Sequence, residues 1–285
     1  MQIHPEWPMP QQYLATHLAG LGRLDEAVAW GAQASALSDD PAAGFLNVRL
    51  YLALGDKEKA VALLEELPAD HPFTALMEGF LLLIDSDYRQ ALEFFSSIMD
   101  SGEYRRNTQF LPFVAAEVAL LAGDLDKARE YTLVSQPILS EDTELRIDTF
   151  TLPAVIRLAY INQQQGDIAR AQKLLRAALP VVRERPHLGW FGQGIREVQI
   201  LALLGRREDA LGTLRALVDE GFRSSVLANV WNLDEDPYLA GLRDDPRFAA
   251  ILDEVHRAVE AMYENVVEAE DSGDWGRLRA KAEVI

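Results

Sequence analysis

Six times along this chain a glycine or serine is followed, five positions later, by alanine. The copies are Gly22-Arg-Leu-Asp-Glu-Ala27, Gly55-Asp-Lys-Glu-Lys-Ala60, Ser86-Asp-Tyr-Arg-Gln-Ala91, Gly123-Asp-Leu-Asp-Lys-Ala128, Gly166-Asp-Ile-Ala-Arg-Ala171 and Gly205-Arg-Arg-Glu-Asp-Ala210. The alanines are spaced 33, 31, 37, 43 and 39 residues apart. Self-similarity with a period of about 20–50 residues restricts a chain to stacked supersecondary units, each able to bury its apolar face only against a neighbour.

Each element of the motif has a physical reason. Glycine five before alanine ends a helix, because the residue past a helix C-terminus often sits in the left-handed region that glycine enters cheaply. Asp56, Asp87, Asp124 and Asp167 follow the hinge directly and suit the N-cap of the next helix. The alanine lies where two antiparallel helices come closest. Bulk arrives three and four residues later, at Leu63-Leu64, Phe94-Phe95 and Leu174-Leu175, and singly at Trp30, Tyr131 and Leu214. That offset places it on the same helical face as the alanine. Twelve before each alanine stands Ala15, Val48, Gly79, Ala116, Ala159 or Val198, which lets the first helix of each pair approach the second.

The pattern predicts helix pairs at 9–20 with 24–37, 42–54 with 57–67, 72–84 with 87–100, 105–121 with 124–135, 145–165 with 167–183, and 189–204 with 207–220. No alternating β-branched run flanked by a hairpin turn suggests a strand. The extra length of the later spacings is placed around Ser135 to Asp148. On these residues the chain resembles the tetratricopeptide repeat (TPR) family. The resemblance implies an all-α, right-handed superhelical solenoid of antiparallel helix pairs. The division expected is an extended lead-in over 1–8, about six TPR-like pairs over 9–221, and capping helices over 222–285.

Beyond Gly221 the pattern changes. Asp236-Pro237 and Asp245-Pro246 each set a capping acid before a proline suited to the first helical turn. They predict a short helix at 237–242, a long one from about 246 to 270, and a last short one at 273–282. The long helix offers an apolar face of Phe248, Ile251, Leu252, Val255, Val259, Met262 and Val266, fit to finish the open end of an array. With Leu239, Leu242 and Arg243, this tail resembles those that follow TPR arrays in winged-helix regulators of the ToxR/CadC type, adenylate cyclases and some serine/threonine kinases. That likeness implies the sensory or interaction half of a bacterial signalling system, not its output half.

Composition narrows the function. Of 285 residues, 45 are acidic and 27 basic, a net charge of −18, which argues against direct nucleic-acid binding or adhesion to anionic membrane. There is no cysteine, so disulfides, thiolate metal sites and cysteine nucleophiles are excluded. The start, through Pro5, Pro8 and Pro10, lacks the basic and apolar runs of a secretory signal, and no window has the length of a membrane span. A cytoplasmic and a periplasmic setting both remain open. The five histidines, His4, His17, His71, His187 and His256, are scattered, with no pair at metal-ligand spacing within a helix. Gly189-Trp-Phe-Gly192-Gln-Gly194 follows no strand and reads as a loose helix start, not a phosphate loop. Neither Asp234-Glu-Asp236 nor Glu270-Asp-Ser-Gly-Asp274 has the pattern of a calcium-binding loop. The expectation is a non-enzyme: no catalytic residue, no metal and no cofactor.

What remains is binding. In TPR arrays the first helices of successive pairs line a concave groove for peptides or partner helices. By repeat position the groove-facing residues here are Arg49, Phe80, Phe113, Glu117, Tyr160, Gln163, Gln164, Arg196 and Gln199. The expected function is a protein–protein interaction scaffold with a protein or peptide partner. The alternatives are a homo-oligomerisation module or a small-ligand-binding accessory domain. Charge supports the idea of a homodimer: residues 145–215 carry 11 bases against 6 acids, so the acidic tail of one copy could face the basic repeats of another.

Overall fold

A computed structural model describes residues 8–37, 41–68, 72–84, 86–101, 111–140, 147–189, 192–223 and 233–282. These residues form helices and turns, with no strand among them. The helices are α1 (Pro8–Gly20), α2 (Leu24–Ala36), α3 (Pro41–Leu54), α4 (Lys57–Glu65), α5 (Pro72–Ile84), α6 (Tyr88–Ser101), α7 (Leu111–Leu121), α8 (Leu125–Ser135), α9 (Leu152–Gln164), α10 (Ile168–Arg183), α11 (Gly194–Leu203), α12 (Arg207–Asp219), α13 (Pro246–Ser272) and α14 (Gly276–Ala282). Short 3-10 helices occupy Pro137–Ser140 and Pro237–Leu242. Helices α1 to α12 pack as consecutive antiparallel pairs, and each pair packs on the next.

The hinges explain the pairing. Gly22, Gly55, Gly123, Gly166 and Gly205 all have φ between 72° and 87°, and Ser86 takes the same left-handed turn at 55°. Asp56, Asp124 and Asp167 then accept the backbone N–H three residues on, at 2.9, 3.0 and 3.0 Å, and Asp87 does so at 3.1 Å. Removing one such cap, as in Asp124→Ala, is expected to cost about 1 kcal/mol in thermal unfolding. A loss indistinguishable from zero would show that packing alone sets the start of α8. The six motif alanines are fully buried, as are Ala15, Val48, Ala116, Ala159 and Val198 across from them. The two helices of a pair differ in kind. Helix α9 is buried over most of its circumference, whereas α10 buries a stripe of Ala171, Leu175, Ala178, Leu179 and Val182. That spacing is the 3.6-residue period of a helix with one wet face.

Two helices start later than the spacing suggests. α9 begins at Leu152 because Asp148 folds back to accept the N–H groups of Phe150 (2.8 Å) and Thr151 (2.9 Å). α11 begins at Gly194, after a turn in which Gly189 donates to the Gly20 carbonyl at 2.9 Å. The parts of the predicted 105–121 and 145–165 helices at 105–110 and 145–146 lie outside the described residues, as do 1–7 of the lead-in.

The Gly20–Gly22 turn of the first pair rests against Gly189 and Gly221, so the first and sixth pairs touch. The tail packs against both the last and the first pairs. Its 3-10 helix packs on α11 and α12, and α13 then runs from α12 to α2 and α3, with α14 closing on α2. The crossing is fastened at both ends. Arg215 bonds Glu254 at 2.7 and 2.9 Å, and Arg207 bonds Asp245 at 3.1 Å. At the far end Tyr51 donates to Glu270 at 2.7 Å, and Asn265 and Lys281 reach Asp25 at 3.0 and 3.2 Å.

Candidate functional site

The inner wall is built by the first helices of the fourth to sixth pairs. Helix α7 supplies Phe113 and Glu117, α9 supplies Arg157 and Tyr160, and α11 supplies Arg196 and Gln199. Arg157 and Arg196 hold equivalent places, each fourteen residues before its motif alanine, and so line up on successive helices. Arg157 is fully buried. Its guanidinium pairs with Glu117, donates to Thr132 at 3.2 Å, and stands 4.7 Å from the centroid of the Phe113 ring. Arg196 donates to Gln199 at 3.1 Å.

The turn at Asp236–Leu242 covers this wall. One Asp236 carboxylate oxygen accepts the Tyr238 N–H at 2.8 Å, which starts the 3-10 helix. The other accepts the Gln199 side-chain amide at 2.7 Å. Arg243 donates to the Asp236 carbonyl at 3.2 Å, closing the turn. The Tyr238 ring meets Tyr160 edge-on, 5.3 Å between centroids. Asp236, Tyr238, Leu239 and Leu242 are all buried.

Electrostatics ties the turn to the wall. Burial pulls the Arg157 pKa down most strongly, but the Glu117 carboxylate and Tyr238 together outweigh it and the net shift is upward. Arg196 is lowered, by burial first, with Glu117, Tyr238 and Asp236 opposing. Burial and then Glu117 push the Tyr238 hydroxyl well above the usual phenol range. Arg196 thus feels both Glu117 and Asp236, and Asp236 comes from the tail. Among the described residues, the second Glu117 oxygen and Arg157 Nε find no hydrogen-bond partner.

Of the nine groove residues read from the sequence, Phe113, Glu117, Tyr160, Arg196 and Gln199 come together here. Glu117, Arg196 and Gln199 are buried, while Phe113 and Tyr160 are half-buried. Arg49 and Phe80 pair with each other, with the guanidinium 5.9 Å from the ring centroid. Burial lowers the Arg49 pKa to about 10. Gln163 donates to the Leu203 carbonyl at 2.7 Å, and Gln164 is exposed. Sequence reasoning missed Arg157, Asp236 and Tyr238. The signal for Arg157 was present, since it repeats the position of Arg196.

Elsewhere, a cleft of about 380 Å3 lies between the α3–α4 hinge and α13, lined by Asp56, Glu58, Arg223, His256, Glu260 and Tyr263 among others. Among the described residues no group of three or more acids and histidines is placed to hold a metal ion. Nor is any described helix long and apolar enough to cross a membrane.

A closed array of helical hairpins with a lined inner wall defines a repeat-scaffold class of protein. Residues 18–81 match the tetratricopeptide repeat family model, and such repeats are generally protein–protein interaction modules. Seven chains of solved structures match this fold. One, from "Structure of Naa15/Naa10 bound to HypK-THB", is 18% identical with a TM-score of 0.30, over 98% of this chain and 46% of that one. This chain thus spans less than half the length of that match. No curated protein matches the sequence.

Proposed function

We propose that the chain is a protein-binding scaffold whose inner wall receives a peptide segment. We further assign it the sensor or adaptor role in a bacterial signalling system. The observation carrying the first part is that wall side chains grip a segment from outside the repeats, through Gln199–Asp236 and Tyr160–Tyr238. The Asp-Pro spacing of the tail supports the second. Less supports pairing of two copies through charge, because Arg207 and Arg215 find the tail's Asp245 and Glu254 within one chain.

Affinity capture by the immobilised full chain from its native organism, read by mass spectrometry, tests the proposal. One protein recovered by the wild type and lost with Tyr160→Ala, at unchanged helical circular dichroism, is the expected result. Equal recovery from both, or recovery from neither, overturns it.

A further inference from the structure

We infer that a groove beside α13 docks a basic peptide segment of a partner protein, one that carries a single large apolar side chain among lysines or arginines. The groove shares no lining residue with the inner wall and is a second, separate surface.

Its deeper end is the cleft of about 380 Å3 between the α3–α4 hinge and α13. Leu54, Phe222, Val255 and Val259 give the cleft apolar walls, and a more open depression continues it along α13. Tyr263 lines both, so the two are continuous. On α13 the groove follows Val259, Tyr263 and Val267, which repeat every four residues and are all half-buried. From Val259 to Asp271 the helix rises about 18 Å, the reach of about five or six residues of extended chain. That length suits a peptide better than a small amine.

The charge along the groove is one-sided. Asp56, Glu58, Asp234 and Glu260 line the cleft, and Glu264, Glu268 and Asp271 line its continuation. The basic side chains lining it are Arg223 and His256. Arg223 is turned to the end of α12, where it donates to the Val218 and Phe222 carbonyls at 2.8 and 2.7 Å. His256 Nε2 stands 3.2 Å from Asp234. Glu260, Glu264 and Glu268 form an exposed row one residue on from the apolar seam. Among the described residues, Glu268 alone of the three has a counter-ion, Arg277 at 2.6 Å. Like charges four residues apart on a helix repel, so folding by itself does not favour the row. Elsewhere the tail does pair its acids: Asp245 with Arg207, Glu254 with Arg215 and Glu270 with Lys59. An acidic row left open beside an apolar seam is complementary to a segment of opposite charge with one apolar anchor. The anchor fills the cleft, and the lysines or arginines next to it face the row.

The test uses the full chain and fluorescence anisotropy with a labelled lysine pentapeptide that has tryptophan at its centre. Wild type is expected to bind it saturably, and more weakly as salt rises. Glu260→Gln with Glu264→Gln, at unchanged helical circular dichroism, should weaken binding at least about tenfold. Glu130→Gln with Glu184→Gln removes the same charge from exposed positions elsewhere and should weaken it less than about twofold. Glycine in place of the tryptophan should weaken it at least about fivefold. No saturable binding by the folded wild type, equal losses from the two variant pairs, or equal binding of the glycine peptide overturns the inference.

Two other occupants have signatures of their own. Spermine that displaces the labelled peptide as well as unlabelled peptide does, at matched charge concentration, would make the groove a polyamine site. A dimer in sedimentation that Glu260→Gln with Glu264→Gln dissolves would give the groove to the basic repeats of a second copy. Either result overturns docking of a partner's peptide.

Discussion

Replacing Glu117 with alanine is expected to destabilise the chain by about 3–5 kcal/mol, the usual cost of stripping one partner from a fully buried ion pair. Both side chains of the Glu117–Arg157 pair are 0% exposed. Without Glu117, the buried Arg157 guanidinium loses its ion-pair partner. The Arg215–Glu254 pair makes the useful contrast. Its side chains are 36% and 42% exposed, so solvent screens the pair and Glu254→Ala should leave stability nearly unchanged. Urea unfolding followed by circular dichroism separates the two.

The double replacement Glu117→Leu with Arg157→Met gives the sharper result. It removes both charges, leaves Arg196 with Asp236, and should recover most of the loss, since apolar groups of similar volume commonly replace a buried pair without penalty. With Glu117→Leu and Arg157→Met measured singly, it completes a cycle that yields their coupling. If Glu117→Ala loses less than about 1 kcal/mol, the Glu117–Arg157 pair is hydrated in solution and not a dry ion pair.

The same contrast explains what the sequence made visible. The hinges were legible because their causes are local. A left-handed residue and the acid after it act within four positions, and Ser86 occupies the turn even without glycine's freedom. The buried faces were legible because alanine and bulk recur at helical spacing. Arg157 was not, because a basic residue within a basic stretch reads as surface. Only its register with Arg196 marks it as part of the wall. Asp236 was half legible. Its capping of Tyr238 is a two-residue matter, but its bond to Gln199 joins groups 37 residues apart in sequence. Charge alone left the tail's partner open: the sequence offered a second copy, and within one chain Arg207 and Arg215 pair with the tail's Asp245 and Glu254.

Closure of the array was the least legible feature, because it depends on small rotations summed over six hairpins. Its trace is a set of glycines that serve no hinge: Gly20 packs on Gly189, and Gly221 meets the hinge glycine Gly22. Gly22→Ala is therefore expected to cost far more than Gly55→Ala, although the two share nearly the same backbone, φ +75° and +82°. At Gly55 an added methyl meets nothing within 4 Å, so the loss is about 1–2 kcal/mol from the left-handed conformation alone. At Gly22 it would run into the Gly221 carbonyl, a backbone atom that cannot swing aside. Forcing those turns apart should bring the total to about 2–5 kcal/mol. The consequence reaches the wall. The first pair anchors the far end of α13 through Asp25, held to Asn265 at 3.0 Å and Lys281 at 3.2 Å, so separating the first and sixth pairs slackens the strap that follows the Asp236 turn. Gly22→Ala should accordingly enlarge the radius of gyration in small-angle X-ray scattering and speed exchange at Tyr238, while Gly55→Ala changes neither. Equal stability losses at the two positions, with superimposable scattering, would mean that the contact between first and sixth pairs contributes nothing to holding the molecule closed.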